Sequence, residues 1–176
     1  KGLVHFEREE FEKSSQALKK ASELNPTRDT IYNLAKAQTN AGNHGEALQT
    51  ARYLCSHFKE APQNHTLNGL LAAITEKPLE AFHQYNQAIN TIHTIRQRLR
   101  RNKRELSEAE KSHHATAFLN RGTFLFEQGN PDDAKKDIEE ALSIYPSPAA
   151  YFVEVRIMAD DEEEKAKHTF QRMRER

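Results

Sequence analysis

The sequence predicts an all-α chain built from repeated helix pairs, and three observations carry that reading. Ala, Leu, Glu, Lys, Arg and Gln dominate, tryptophan is absent and valine occurs only at Val4, Val153 and Val155, a composition that favours helices over sheets. Apolar residues make up 36% and charged residues 30%, with a mean hydropathy of −0.89; that is lean for a thick core and fits a thin or elongated body with much solvated face. Small residues also return at a fixed interval, Ser14 standing 33 residues before Ala47 and Ala47 standing 34 before Ala81. A period in that range is the mark of a repeat array.

Taken in order, the elements fall into helix pairs. Phe11, Ser14, Leu18, Ala21, Leu24 and Pro26 read as the second half of a unit whose start is missing. A second unit runs from about Arg28, with Ile31, Leu34, Ala35, Gly42, Ala47, Ala51 and Leu54, and a third contains Gly69, Pro78, Ala81, Tyr85 and Ala88. The fourth holds Phe118, Gly122, Gly129, Ala134, Ile138, Ala141 and Pro146; a fifth and weaker one holds Phe152, Val155, Ala159, Ala166, Phe170 and Met173, with its inter-helix loop shortened. Gly2, Ala35, Gly69 and Gly122 take the small position of successive first helices. Punctuation agrees: Asn130-Pro131-Asp132-Asp133 is an N-cap, a first-turn proline and two acids at the positive helix end. Ser147-Pro148 opens the fifth unit in the same way, and Gly42 and Gly129 suit a left-handed helix stop.

The stretch from Phe118 to Pro146 resembles the tetratricopeptide (TPR) helix–turn–helix repeat, whose signature is an aromatic, Leu-Gly, a Tyr-like residue, Ala, an aromatic and Pro. It departs at Arg121 and Leu125, where Leu and Tyr are usual. The resemblance implies a TPR-like solenoid, a right-handed superhelix of units at about 1–27, 28–61, 62–95, 115–148 and 149–176. Because the chain opens at Lys1 already inside a helical pattern, it is read as one TPR domain, residues 1–176, from something longer.

Residues 96–114 are the surplus over a regular spacing: Ala81 and Ala134 are 53 residues apart where one repeat predicts 34. The segment contains neither Gly nor Pro, Ile92, Ile95 and Leu99 continue the apolar stripe, and Ser107-Glu-Ala-Glu110 has the form of a capping box. Two adjacent helices are therefore expected to lengthen into one extended helical hairpin. Its tip is basic, with Arg96, Arg98, Arg100, Arg101, Lys103 and Arg104. Arg96, Arg100, Arg101, Lys103 and Arg104 form a secondary contact candidate for an acidic partner, phosphates or an anionic membrane, against the plainer and favoured reading of a solvated face paired with Glu105, Glu108 and Glu110.

Function follows from the resemblance more than from chemistry. First helices of TPR units line an inner groove that commonly takes extended peptides. Asn33 and Asn120 each stand two residues before the small position, where a carboxamide can donate and accept to one peptide unit. Tyr32, Asn33, Lys36, Leu70, Asn120, Thr123 and Phe126 are the expected partner-binding residues, with Val153 near the same surface and Asn68 out of register by one residue. The carboxylate clamp known in the family needs flanking cations, whereas the matching positions hold Thr66, Leu70, Ala150 and Glu154, or Gln63 and Leu67. The expected partner is a protein or peptide, and a second reading has the hairpin or the ends of the stack bind another copy of the chain.

Other classes are excluded or disfavoured. Twenty-six basic residues balance twenty-six acidic ones, so no overall field attracts nucleic acid, and no apolar run approaches the ~20 residues of a membrane span. Glu80-x-x-His83 and Glu110-x-x-His113 have a di-iron spacing, but a metal-dependent enzyme would need two more inward glutamates in a bundle core. Cys55 beside His57 is expected to be a packing residue, and Asn64-His65-Thr66 has the glycosylation pattern. No catalytic residue, metal or cofactor is expected. One cysteine and no visible leader make the cytoplasm the default location.

Overall fold

Short loops between amphipathic helices oblige consecutive helices to run antiparallel and pack on one another. The computed structural model describes residues 2–174, and side chains from Gly2 to Glu163. These residues form α1 (Gly2–Glu7), α2 (Phe11–Leu24), α3 (Arg28–Asn40), α4 (His44–His57), α5 (Pro62–Ile74), α6 (Pro78–Arg101), α7 (Glu108–Glu127), α8 (Pro131–Ile144) and α9 (Pro148–Arg174), with no strand among them. The chain divides into two units, residues 1–104 and 105–176, and the division falls inside the 96–114 segment. In the first unit each helix from α1 to α6 packs on the next in the chain. In the second, α8 packs on both α7 and α9. That serial contact is the all-α solenoid arrangement.

The small positions explain how each pair closes. A Cβ on Gly122 would lie 2.9 Å from Ile138 Cδ1 and 3.1 Å from the Ala134 carbonyl oxygen; on Gly69 it would lie 2.7 Å from the Tyr85 ring, and on Gly2 2.6 Å from Leu18 Cγ. These spacings are below van der Waals contact, so backbone and facing side chain meet only where the side chain is hydrogen. Ala35, Ala47, Ala81, Ala88, Ala134 and Ala141 are fully buried for the same reason. In the second unit Leu125, Ala134, Ile138, Val153 and Ile157 form one cluster, with Leu119, Phe126 and Leu142 packed against it.

Helix ends follow the sequence signals. Ser107 and Glu110 form the full capping box of α7, each side chain bonded to the other's backbone N–H. Asn130 accepts from the Asp133 N–H at 3.3 Å, and Ser147 from the Ala150 N–H at 3.2 Å. The turn inside each helix pair carries a residue at positive φ: Glu9 (58°), Gly42 (80°), Glu76 (57°) and Gly129 (76°). Glycine is free to adopt that conformation, whereas Glu9 and Glu76 hold it at a cost of about 1 kcal/mol each.

The surplus length enters α6 and α7, at 24 and 20 residues, where α2, α3, α4, α5 and α8 have 13 or 14. The fifth unit corrects its expectation: α9 runs unbroken from Pro148 to Arg174 instead of forming two helices. No Gly or Pro interrupts this stretch, and Asp160-Asp-Glu-Glu is compatible with a continuing helix. The packing expected of Ala166, Phe170 and Met173 lies outside the described side chains.

Candidate functional site

Three of the expected contact residues share one face of α3. Tyr32 and Asn33 are half-buried and Lys36 is exposed, and the i, i+3 and i, i+4 spacing makes them neighbours. The Arg28 guanidinium lies 5.6 Å from the centre of the Tyr32 ring, and the Lys36 ammonium 5.4 Å from that of Phe6. Burial pushes the Tyr32 phenol above its usual pKa range, against the opposing pull of Arg28. Leu70 stands on α5, 37% exposed.

The second unit repeats the arrangement on α7. Asn120, Thr123 and Phe126 are half-buried at three-residue spacing. The Thr123 hydroxyl donates to the Leu119 carbonyl at 2.8 Å. Phe126 packs on the apolar cluster from one side and meets the Arg156 guanidinium 5.4 Å from its ring centre on the other. Val153 is buried in that same cluster. Each unit thus presents one short stripe with an asparagine two residues before its small position.

The basic segment has a local explanation. Arg98, Arg100 and Arg101 occupy the last turn of α6, where the negative end of the helix dipole favours cations. The backbone N–H groups of Asn102, Lys103 and Arg104 donate to carbonyls of that turn. Arg96 is half-buried on α6, while Arg100, Arg101, Lys103 and Arg104 are exposed.

The acids of the two Glu-x-x-His pairs have other work. Glu80 is held by Arg52 through two hydrogen bonds, one from Nε at 2.7 Å, and this contact keeps its carboxyl below the usual range. Glu110 closes the capping box. Among the described residues no three His, Cys, Asp or Glu side chains gather into a metal site. Burial pushes the Cys55 thiol up to about 11, far from a reactive thiolate at neutral pH. Asn64 is fully buried and donates to the Phe58 carbonyl at 2.9 Å, so the glycosylation triplet is not presented at the surface. No described helix is long and apolar enough to cross a membrane.

Two features escaped the sequence reading. Arg121, where a leucine is usual in the resembling family, makes a bidentate pair with Asp137 at 2.7 Å for each bond. The other is an open depression of about 390 Å³ on α4, α5 and α6, with Asn68 among its lining residues. A shared spacing signals both: Asn68 and Gln84 are separated by the same 16 residues as Arg121 and Asp137.

Residues 115–148 match the family model described as "Tetratricopeptide repeat". The structure also superposes on solved repeat proteins over most of its length. The chain has the tetratricopeptide-repeat fold. PilF of Pseudomonas aeruginosa is 17% identical with a TM-score of 0.72, over 92% of this chain and 66% of that one. YrrB, described as a TPR protein with an unusual peptide-binding site, is 18% identical with a TM-score of 0.65, over 86% and 70%. The Yersinia enterocolitica type III secretion chaperone SycD, in complex with a peptide of the translocator YopD, is 16% identical with a TM-score of 0.56, over 80% and 93%. No curated protein sequence matches the chain. At these identities the likeness to tetratricopeptide-repeat proteins is one of fold.

Proposed function

We propose that the chain is a non-catalytic interaction module that holds an extended peptide or protein segment against the first helices of its repeats, supporting assembly or regulation of a complex. The observation that carries this reading is the recurrence of one stripe in both units. Asn33 with Lys36 on α3, and Asn120 with Thr123 on α7, stand at equal distances from the small residue, and none of the four is buried. A carboxamide there offers a donor and an acceptor to a peptide unit without reading its side chain. Tyr32, Leu70 and Phe126 add apolar area to the polar contacts. Peptide binding by YrrB and by SycD on the same fold supports the reading by analogy. The cytoplasm is the compartment we propose, on the strength of the single cysteine. Asn33→Ala combined with Asn120→Ala should weaken partner capture at least tenfold while circular dichroism stays unchanged; full capture by the double variant removes these stripes from the account.

A second reading, self-association, is favoured by exposed apolar side chains on the first and last helices: Leu3 and Val4 on α1, and Tyr151, Phe152, Val155 and Met158 on α9. Light scattering of a Phe152→Ser, Val155→Ser variant tests it. A mass that falls from a multiple of 20.3 kDa to the single-chain value supports the reading, and a wild-type chain that is already monomeric ends it.

A further inference from the structure

Among the described residues the exposed apolar side chains are densest on α9. Tyr151, Phe152, Val155 and Met158 are all exposed there, and no other described helix carries more than two large ones. Only Glu154 and Arg156 interrupt the apolar run from Ala149 to Ala159. One side of that run is in use: Ala150, Val153 and Ile157 are buried, where α9 packs on α8 and more lightly on α7. A helix that is apolar on every side is one with neighbours on every side. The other side of α9 has none among the described residues.

The repeat itself gives the shape of the missing neighbour. Four residues before the small position stand Ile31, His65 and Phe118 in the second, third and fourth repeats. Each is buried, and each of those first helices packs on a second helix. The matching residue of the fifth repeat is Phe152, 34 residues after Phe118, and it is 65% exposed where Phe118 is 3%. No further helix follows α9 among the described residues, so α9 is a first helix without its second. Between α8 and α9 a groove of about 230 Å³ is lined by the buried Ile138 and Ile157 and by the exposed Met158. The open face is thus continuous with the interface that α8 and α9 already share. Arg156 stands at the small position, so a helix here would rest on side chains and not make the close backbone approach seen at Gly122.

Charge narrows the occupant. At about 100° per residue, Tyr151, Val155, Met158 and Glu162 fall within roughly 60° of one another. One stripe therefore runs through three apolar side chains and ends on an exposed acid, with Glu154 half-buried in the groove beside it. The cation of this stretch, Arg156, is turned to the Phe126 ring. An apolar face with an acidic end is complemented by an apolar stripe with a basic end. The helix dipole sets the direction: an antiparallel helix brings its positive N-terminal end to Glu162, and a parallel one brings its negative end. A two-fold pair of α9 helices would instead set like charges together, the Asp160–Glu163 runs if parallel and the Glu154 flanks if antiparallel. We propose that α9 binds an amphipathic helix of a partner protein, antiparallel to it, whose apolar residues at i, i+4 and i+7 cover Tyr151, Val155 and Met158 and whose first turn presents a lysine or arginine to Glu162. The foreign helix completes the fifth repeat. This site uses neither Asn33 nor Asn120, and it gives the face named in the self-association reading a different occupant.

The probes are two blocked peptides of about 16 residues, long enough to form a helix on binding. Both carry leucines at i, i+4, i+7 and i+11; lysines fill the polar face of one and glutamates that of the other. Titrated into the isotope-labelled full chain, the lysine peptide should give saturable amide shifts on α9 and the facing side of α8, and should gain helicity by circular dichroism as it binds. The glutamate peptide, and a lysine peptide of the same composition in scrambled order, should each bind at least tenfold more weakly. Val155→Ser and Phe152→Ser, both at exposed positions, should each weaken binding of the lysine peptide at least threefold. Glu162→Lys should reduce the preference for lysine over glutamate at least fivefold. Asn33→Ala with Asn120→Ala should leave this binding unchanged, which separates its failure from that of the stripe reading. Absence of saturable shifts, shifts away from α8 and α9, equal binding of the scrambled peptide, or affinity indifferent to both serine variants overturns the proposal. A wild-type chain that scatters light as a dimer and becomes a single chain on Val155→Ser also overturns it, in favour of a second copy on the same face.

Discussion

The third helix pair, α5–α6, and the fourth, α7–α8, close in the same way and differ in what surrounds the closure. In both, a glycine of the first helix presses its backbone onto a large side chain of the second, Gly69 onto Tyr85 and Gly122 onto Ile138. One residue earlier the two part company. The fourth pair has Arg121 locked to a buried Asp137, while the third has a buried Asn68 whose oxygen has no hydrogen-bond partner. Their turns differ too, with Gly129 in one and a strained Glu76 in the other, and Asn130 caps α8 through its side chain where Lys77 makes no such bond to α6. The fourth pair is thus locally satisfied at each of these points. The third keeps the geometry with a stranded amide oxygen, a left-handed glutamate and a helix start without a side-chain cap.

The largest break in this comparison should come from Asp137→Ala. It removes the carboxylate that holds the Arg121 guanidinium, on a side chain only 20% exposed, and should cost about 3 kcal/mol in urea unfolding. A cost under a tenth of that would show the pair to be solvated and the contrast with Asn68 to be empty. Next, Gly69→Ala forces a methyl group into the Tyr85 ring and should cost about 2 kcal/mol. The matching change at Gly122 should cost at least as much, because one of its close neighbours is the backbone oxygen of Ala134, which cannot swing away.

Smaller effects sharpen the contrast. Glu76→Gly should raise stability by about 1 kcal/mol by relieving the left-handed strain that Gly129 never incurs, measured as a higher urea midpoint with unchanged slope. Glu80→Gln should remove less than ~1 kcal/mol at neutral pH, since the pair with Arg52 is partly exposed. The sign with pH is fixed: the Glu80 carboxyl is depressed by Arg52, so its contribution is present above the unfolded value near 4.5 and is lost as pH falls through the folded one. The variant's stability should accordingly fall less steeply than wild type below pH 4.5, and parallel acid limbs would mean the pair is not linked to folding.

Much of this molecule was legible in its sequence, and the reasons are local. The small positions, the capping box at Ser107 and Glu110, the Asn130 cap and the left-handed glycines are each set by a few neighbouring residues, so a linear pattern reveals them. The stripes of Asn33 and Asn120 were placed by counting from those small positions. The fifth unit departs from its two-helix expectation because nothing between Pro148 and Arg174 breaks a helix.

Composition and periodicity by themselves determined the helix pairs up to α8, their order and the faces they bury, because helical spacing and backbone sterics act within a few residues of chain. Packing alone decided which polar groups find one another. That Arg121 reaches Asp137, that Gln84 turns to His65, and that the buried Asn68 oxygen is left without a partner depends on how side chains from different helices meet at hydrogen-bond range. Such pairings are settled by distances of a few tenths of an ångström between segments remote in the chain, where a short-range pattern carries no information.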